Sequence, residues 1–182
     1  LQDLIEQDRP LAAQVGRAGK QLISGFDAAM TNCIASDRPR AYTVLYDHPA
    51  FAQRQAQMLW NLWVRTQRLD WLSRVRILVR ANERGDLNNE TYDLAYEWTP
   101  FSHYDKPDAV VARMQQLARQ LMPGAVAFIV GPATVADGCR AAGMQVQAIT
   151  PVSSLPTFRM HQSVLPRAQL KPGVMLFQVA RP

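Results

Sequence analysis

Three histidines and two cysteines are the side chains best suited to metal binding or nucleophilic chemistry, and their spacing favours neither. Cys33 and Cys139 stand far apart with no CxxC step and no histidine cluster beside them. Two reduced, buried thiols are therefore expected, rather than a zinc site or a disulfide framework. His48 and His161 have no partner visible in the sequence. His103, two residues before Asp105, reads from its surroundings as a loop residue ahead of the helix that Pro107 begins. An imidazole of ordinary pKa could still move a proton there, with Asp105 to orient it. Asp47 ends an apolar run and reads as an N-cap for a helix opening near Pro49, while Gly85-Asp86 reads as an ordinary turn. Trp60, Trp63 and Trp71, with Arg65, Arg68, Arg74, Arg76 and Arg80 around them, have the make-up of a base-stacking surface. The helical spacing of Trp60 and Trp63 instead favours core packing, and alternating arginines also blunt an edge strand.

The chain that must position these groups has 182 residues, of which 48% are hydrophobic and 19% charged. That is the composition of a folded domain, about one by length. The formal charge of +5 comes mainly from arginine, lysine occurring only at Lys20, Lys106 and Lys171. Such a balance is compatible with anionic partners without favouring nucleic acid. No run approaches the roughly 18 apolar residues of a membrane span, and no leader pattern opens the sequence. The reading is a cytoplasmic domain that does not enter a membrane.

Short apolar runs alternate with longer amphipathic stretches, the pattern of βαβ units and a mainly parallel sheet. Seven strands are expected, near Leu11–Val15, Ala41–Asp47, Arg74–Val79, Tyr92–Trp98, Ala125–Val130, Met144–Thr150 and Val174–Ala180. A first helix is expected from about Gly19 to Ala35. A second opens at Pro49 and carries Phe51, Met58, Leu59, Leu62 and Trp63 at helical spacing. A third follows Pro107, with Val110, Met114 and Leu117 on one stripe, and stops at Met122-Pro123-Gly124. A shorter one runs from Thr134 to Ala142, with Gly143 as a left-handed cap. Pro151 to Pro172 reads as a long loop over the sheet's end.

The run Thr43-Val44-Leu45-Tyr46-Asp47-His48-Pro49 is similar to the second strand of small-molecule O-methyltransferases, where a T-V-L-D-L-P-like segment ends in an acid. Further elements follow in the family's order. Trp71 to Ile77 resembles its entry to strand three, Arg84-Gly85-Asp86-Leu87 its G-D element, and Tyr92-Asp93-Leu94-Ala95 its fourth strand. Phe101 to Asp105 resembles its H-D-W segment, and Leu121 to Ala125 its L-K-P-G turn. The chain thus resembles the core of class I S-adenosylmethionine-dependent methyltransferases from about Leu11 to Arg181.

This resemblance implies a doubly wound, Rossmann-like α/β fold: a mostly parallel seven-stranded sheet with helices on both faces and an antiparallel last strand. It implies S-adenosylmethionine as cofactor, with Asp47 accepting both ribose hydroxyls, Asp86 reaching the adenine amino group, and His103 as the catalytic base. It sets the glycine-rich first motif on Gln14-Val15-Gly16-Arg17-Ala18-Gly19-Lys20, with Gly16 and Gly19 touching the cofactor. That run departs from G-x-G-x-G, and Arg17 and Lys20 would set positive charge beside a sulfonium. Glu97 and Trp98 close the fourth strand, where the family lines its substrate pocket. Methyltransferases of this type also carry an N-terminal helical domain that dimerises. Residues 1–182 are accordingly read as one methyltransferase-like domain, the C-terminal part of a longer protein, with dimerisation through a segment outside this chain. The leading function is methyl transfer to a small molecule. The alternative is an inactive domain of the same fold that serves as a scaffold, binds a protein partner or positions RNA.

Overall fold

The computed structural model describes residues 9–24, 41–46, 49–67, 75–79, 90–98, 106–155 and 173–182. In chain order the elements are α1 (Arg9–Arg17), β1 (Lys20–Ser24), β2 (Ala41–Tyr46), α2 (Pro49–Thr66), β3 (Val75–Val79), β4 (Tyr92–Trp98), α3 (Pro107–Gln120), β5 (Leu121–Gly131), α4 (Thr134–Ala141), β6 (Gln145–Pro151) and β7 (Met175–Ala180). A single 3-10 turn, Val152–Ser154, follows β6.

The strands form one seven-stranded sheet in the order β3-β2-β1-β4-β5-β7-β6. β1, β2, β3, β4 and β5 pair in parallel, while β7 runs antiparallel to both β5 and β6. The expected fold class, strand number and antiparallel last strand are all observed.

The beginning of the chain corrects the sequence reading. Leu11–Val15 is not a strand but the middle of α1, and the first strand is Lys20–Ser24, inside the stretch expected to be helical. An apolar run of this length has no periodicity that separates strand from helix. Here Pro10 in the first turn and the Ala12-Ala13 pair suit a helix. Residues 25–35, the remainder of the expected helix, lie outside the described residues, as does most of the expected loop from Pro151 to Pro172.

Two apolar layers hold the sheet. On one face Val110, Met114 and Leu117 of α3 and Val135 and Cys139 of α4 pack on Leu22, Ala95, Ile129 and Phe177, all buried. The other face gathers Leu94, Val126, Phe128 and Leu176 with Ala18 and Val152. Tyr96 stacks on Phe128 there, ring centroids 5.9 Å apart. Helix α2 lies beside β2 and β3. Trp60 on it is 52% exposed, so the expectation that it packs in the core fails. The spacing that relates it to Trp63 does not turn position 60 towards the sheet.

Gly143, with φ +75°, ends α4 as expected. Its N–H donates to the Arg140 carbonyl at 3.0 Å, and the Met144 N–H donates to the Cys139 carbonyl at 2.9 Å. Gly138 has a different task. A Cβ there would stand 3.0 Å from Met114 Cγ and 3.4 Å from Val111 Cα, so the glycine lets α4 approach α3 closely. Gly138→Val should therefore destabilise the protein by about 2 kcal/mol, the range for overpacking a filled contact. Denaturant titration checks this, and an unchanged midpoint would contradict the close approach.

Candidate active site

Strand order fixes where a ligand crevice can open. β1 lies between β2 and β4, parallel to both, so the order reverses at β1 and the connections leaving the carboxyl ends diverge there. The register aligns those ends: Ser24, the last residue of β1, stands opposite Leu45 on one side and Glu97 on the other, and Glu97 stands opposite Ile129. Tyr46 ends β2, so Asp47 comes next in the chain. Asp47, Asp86 and His103 themselves lie outside the described residues. By chain order they belong to the connections that leave the carboxyl ends of β2, β3 and β4.

Gly16 and Gly19 are placed elsewhere. Gly16 lies within α1, and Gly19 immediately precedes β1, at its amino end. Asp93 Oδ2 accepts the N–H of Gly19 at 3.1 Å and that of Lys20 at 2.8 Å, which ties the entry of β1 to β4. Lys20 lies four residues before Ser24, about 13 Å along the strand. The two glycines therefore do not form the turn after the first strand, and Arg17 and Lys20 do not face a ligand at its carboxyl end. The error follows from the misplaced first strand. With β1 ending at Ser24, the sequence that follows it is Gly25-Phe26-Asp27, which lies outside the described residues.

Glu97 has a role that its position alone did not reveal. Its side chain is 0% exposed, and it faces Arg113 of α3, itself 3% exposed. Arg113 Nε donates to Oε1 at 3.0 Å and Nη2 to Oε2 at 2.5 Å, a two-pronged pair. Arg113 Nη1 donates to Gln116 Oε1 at 3.0 Å and to Gln120 Oε1 at 3.3 Å. The carboxylate is thus turned into the α3 interface.

The amino ends of the strands carry a second ionic cluster. Arg76 Nη1 donates to Glu90 Oε1 at 2.7 Å, and its Nη2 contacts Glu90 Oε2. Tyr92 Oη donates to the same carboxylate at 3.2 Å, and Lys20 Nζ lies 3.2 Å from it and 5.1 Å above the Tyr92 ring. An open depression of about 240 Å³ also lies at this end, lined by Gln14, Arg17, Asp93 and Met122 among others. It is small for a drug-sized ligand and stands away from the strand-order reversal. Burial pushes the Cys139 thiol up to about 12, which keeps it protonated and unreactive at neutral pH. Among the described residues no group of acids, histidines and cysteines could hold a metal ion, and no helix is long and apolar enough to cross a membrane.

No family model matches the sequence, and no curated protein matches it. Solved structures do match in shape. The [4+2]-cyclase SpnF superposes with a TM-score of 0.66 at 12% identity, covering 98% of this chain and 81% of its own. The StiE O-MT, residues 942–1257, gives 0.66 at 14% identity over 100% of this chain and 72% of its own. The N-methyltransferase NodS from Bradyrhizobium japonicum WM9 gives 0.62 at 14% identity over 100% and 96%. The chain has a class I methyltransferase fold. Within that fold the Glu90 cluster lies at the amino ends of the strands, away from the carboxyl ends where the strand order reverses.

Chiefly through its bond to Arg76, Glu90 is held well below its ordinary 4.5, at about 2. A carboxylate depressed on folding adds stability that is fully present above pH 4.5 and is lost as pH falls towards 2. Lys20 and Arg76 are 42% and 46% exposed, so solvent screens the cluster. Its contribution should accordingly be about 1 kcal/mol. Glu90→Gln should remove that much stability at pH 7 and flatten the pH dependence between 4.5 and 2. Thermal melts across that window decide the matter, and a variant that tracks the wild type at every pH would contradict the assignment.

Proposed function

We propose that this chain is an S-adenosylmethionine-dependent methyltransferase domain that acts on a hydroxyl of a small molecule in the cytoplasm. The observation that carries the reading is the reversal of strand order at β1, with β1 and β2 ending side by side and Asp47 next after Tyr46. The fold alone hosts other chemistry, the [4+2]-cyclase being one case, so function lies in the residues of the site.

The residues at this end suit the cofactor. The chain leaving β1 opens with Gly25, the residue type that lets backbone approach a ligand closely. The cations of the α1–β1 junction, Arg17 and Lys20, stand at the far end of the strand, so they do not oppose a sulfonium. The bound cofactor would supply a methyl group on positively charged sulfur. Asp47 would accept hydrogen bonds from both ribose hydroxyls, and Asp86 would accept one from the adenine amino group. His103, in the connection after β4, would take the proton that the acceptor hydroxyl gives up.

Calorimetric titration with S-adenosylmethionine and S-adenosylhomocysteine tests the reading. Both should bind, with affinities within about threefold of each other, well under a decade. Arg17→Ala and Lys20→Ala should leave them unchanged. Asp47→Asn should weaken both by about 1.5–3 kcal/mol, the range for hydrogen bonds to a charged group. A wild-type protein that binds neither ligand at millimolar concentration would overturn the proposal and favour a scaffold that positions a protein or RNA.

A further inference from the structure

The interface between α3 and the sheet is apolar along most of its length, with Val110, Met114 and Leu117 lying on Ala95 and Ile129. Glu97 and Arg113 interrupt it with two fully desolvated charges. Such a pair is poor evidence for stability, because apolar residues of similar volume often hold an interface equally well or better. The surrounding network is also incompletely satisfied. Gln120 Oε1 accepts from Arg113, yet the buried Nε2 of the same amide finds no partner among the described residues. A buried donor left unpaired costs free energy, so adhesion alone does not account for this arrangement.

Its place in the fold gives it another use. Glu97 is in register with Ser24 at the end of β1, in the strand pair where the order reverses. The connection that leaves β4 starts just beyond Trp98 and ends at Pro107, where α3 begins. The pair therefore joins the two elements that bound this connection. The fork of Arg113 engages both oxygens of Glu97, which fixes direction as well as distance, something a point charge on a lysine cannot do.

We infer that Glu97 and Arg113 are positioning residues for the ligand site at the carboxyl ends of β1 and β4: their two-pronged pair sets the orientation of β4 against α3, and so the geometry in which the site binds its nucleoside. The inference rests on the methyltransferase reading. Neither residue touches the ligand; both act through the elements they join.

Two variants separate positioning from support. Glu97→Met with Arg113→Met replaces both charges by flexible apolar side chains, and Arg113→Lys keeps the charge while losing the fork. The double replacement should melt within a few degrees of the wild type yet bind S-adenosylhomocysteine at least tenfold more weakly. Arg113→Lys should likewise lose about tenfold in affinity. If the double replacement binds as the wild type does, the pair is only structural and the inference fails while the methyltransferase reading stands. Should that protein not fold, Arg113→Lys decides alone, and wild-type affinity in it overturns the inference. A wild type that binds no S-adenosylhomocysteine overturns the reading and the inference together.

Discussion

β1 is five residues long and lies between two parallel neighbours, and the remaining architecture follows from that placement. β2 pairs in parallel with β3, and β4 with β5, so each of those connections crosses back over a face of the sheet, which is what brings α2 beside β2 and β3, and α3 over β4 and β5. The same placement makes β1 the point where strand order reverses, so the carboxyl ends of β1, β2 and β4 lie side by side at the position where open α/β sheets take their ligands. Leu22 anchors the strand, fully buried among residues of α3 and the adjoining strands.

The two ends of the sheet are built differently. At the amino ends Asp93 caps the entry of β1, and Glu90 gathers Arg76, Lys20 and Tyr92, tying together β1, β3 and β4 with partly exposed charges. At the carboxyl ends the corresponding join is the buried Glu97–Arg113 pair, directed into the helix layer. The first kind of contact is screened and adaptable. The second is shielded from water and directional, which suits the positioning role proposed for it.

Much of this was legible in the sequence because particular residues carry strong local physics. Pro49 and Pro107 opened their helices where expected, Gly143 took the left-handed cap, and the run from Tyr92 to Trp98, with three aromatic residues, is a strand with the expected bounds. The antiparallel β7 came from the resemblance and is present. What failed did so where signals are short. Leu-Ala-Ala-Gln-Val fits a strand or a turn of helix equally, and taking it as a strand moved the glycine motif to the wrong end of β1, carrying Gly16 and Gly19 with it. Trp60 misled because helical spacing relates it to Trp63 without saying which side of the helix the sheet covers. Glu97 sits at the end of β4, where the resemblance sets the substrate pocket, yet its partner sixteen residues away on α3 leaves no local trace.

On the proposed reading, ligand binds at the carboxyl ends of β1, β2 and β4, beyond Ser24 and not beside Gly19. Backbone amide chemical shifts recorded while S-adenosylhomocysteine is added test it most directly. The largest changes should fall at Ser24, Tyr46 and Trp98, while Gly19, Asp93 and Gly124 at the opposite end stay still. Changes concentrated at Gly19, Asp93 and Gly124 would place the ligand in the amino-end depression and contradict it.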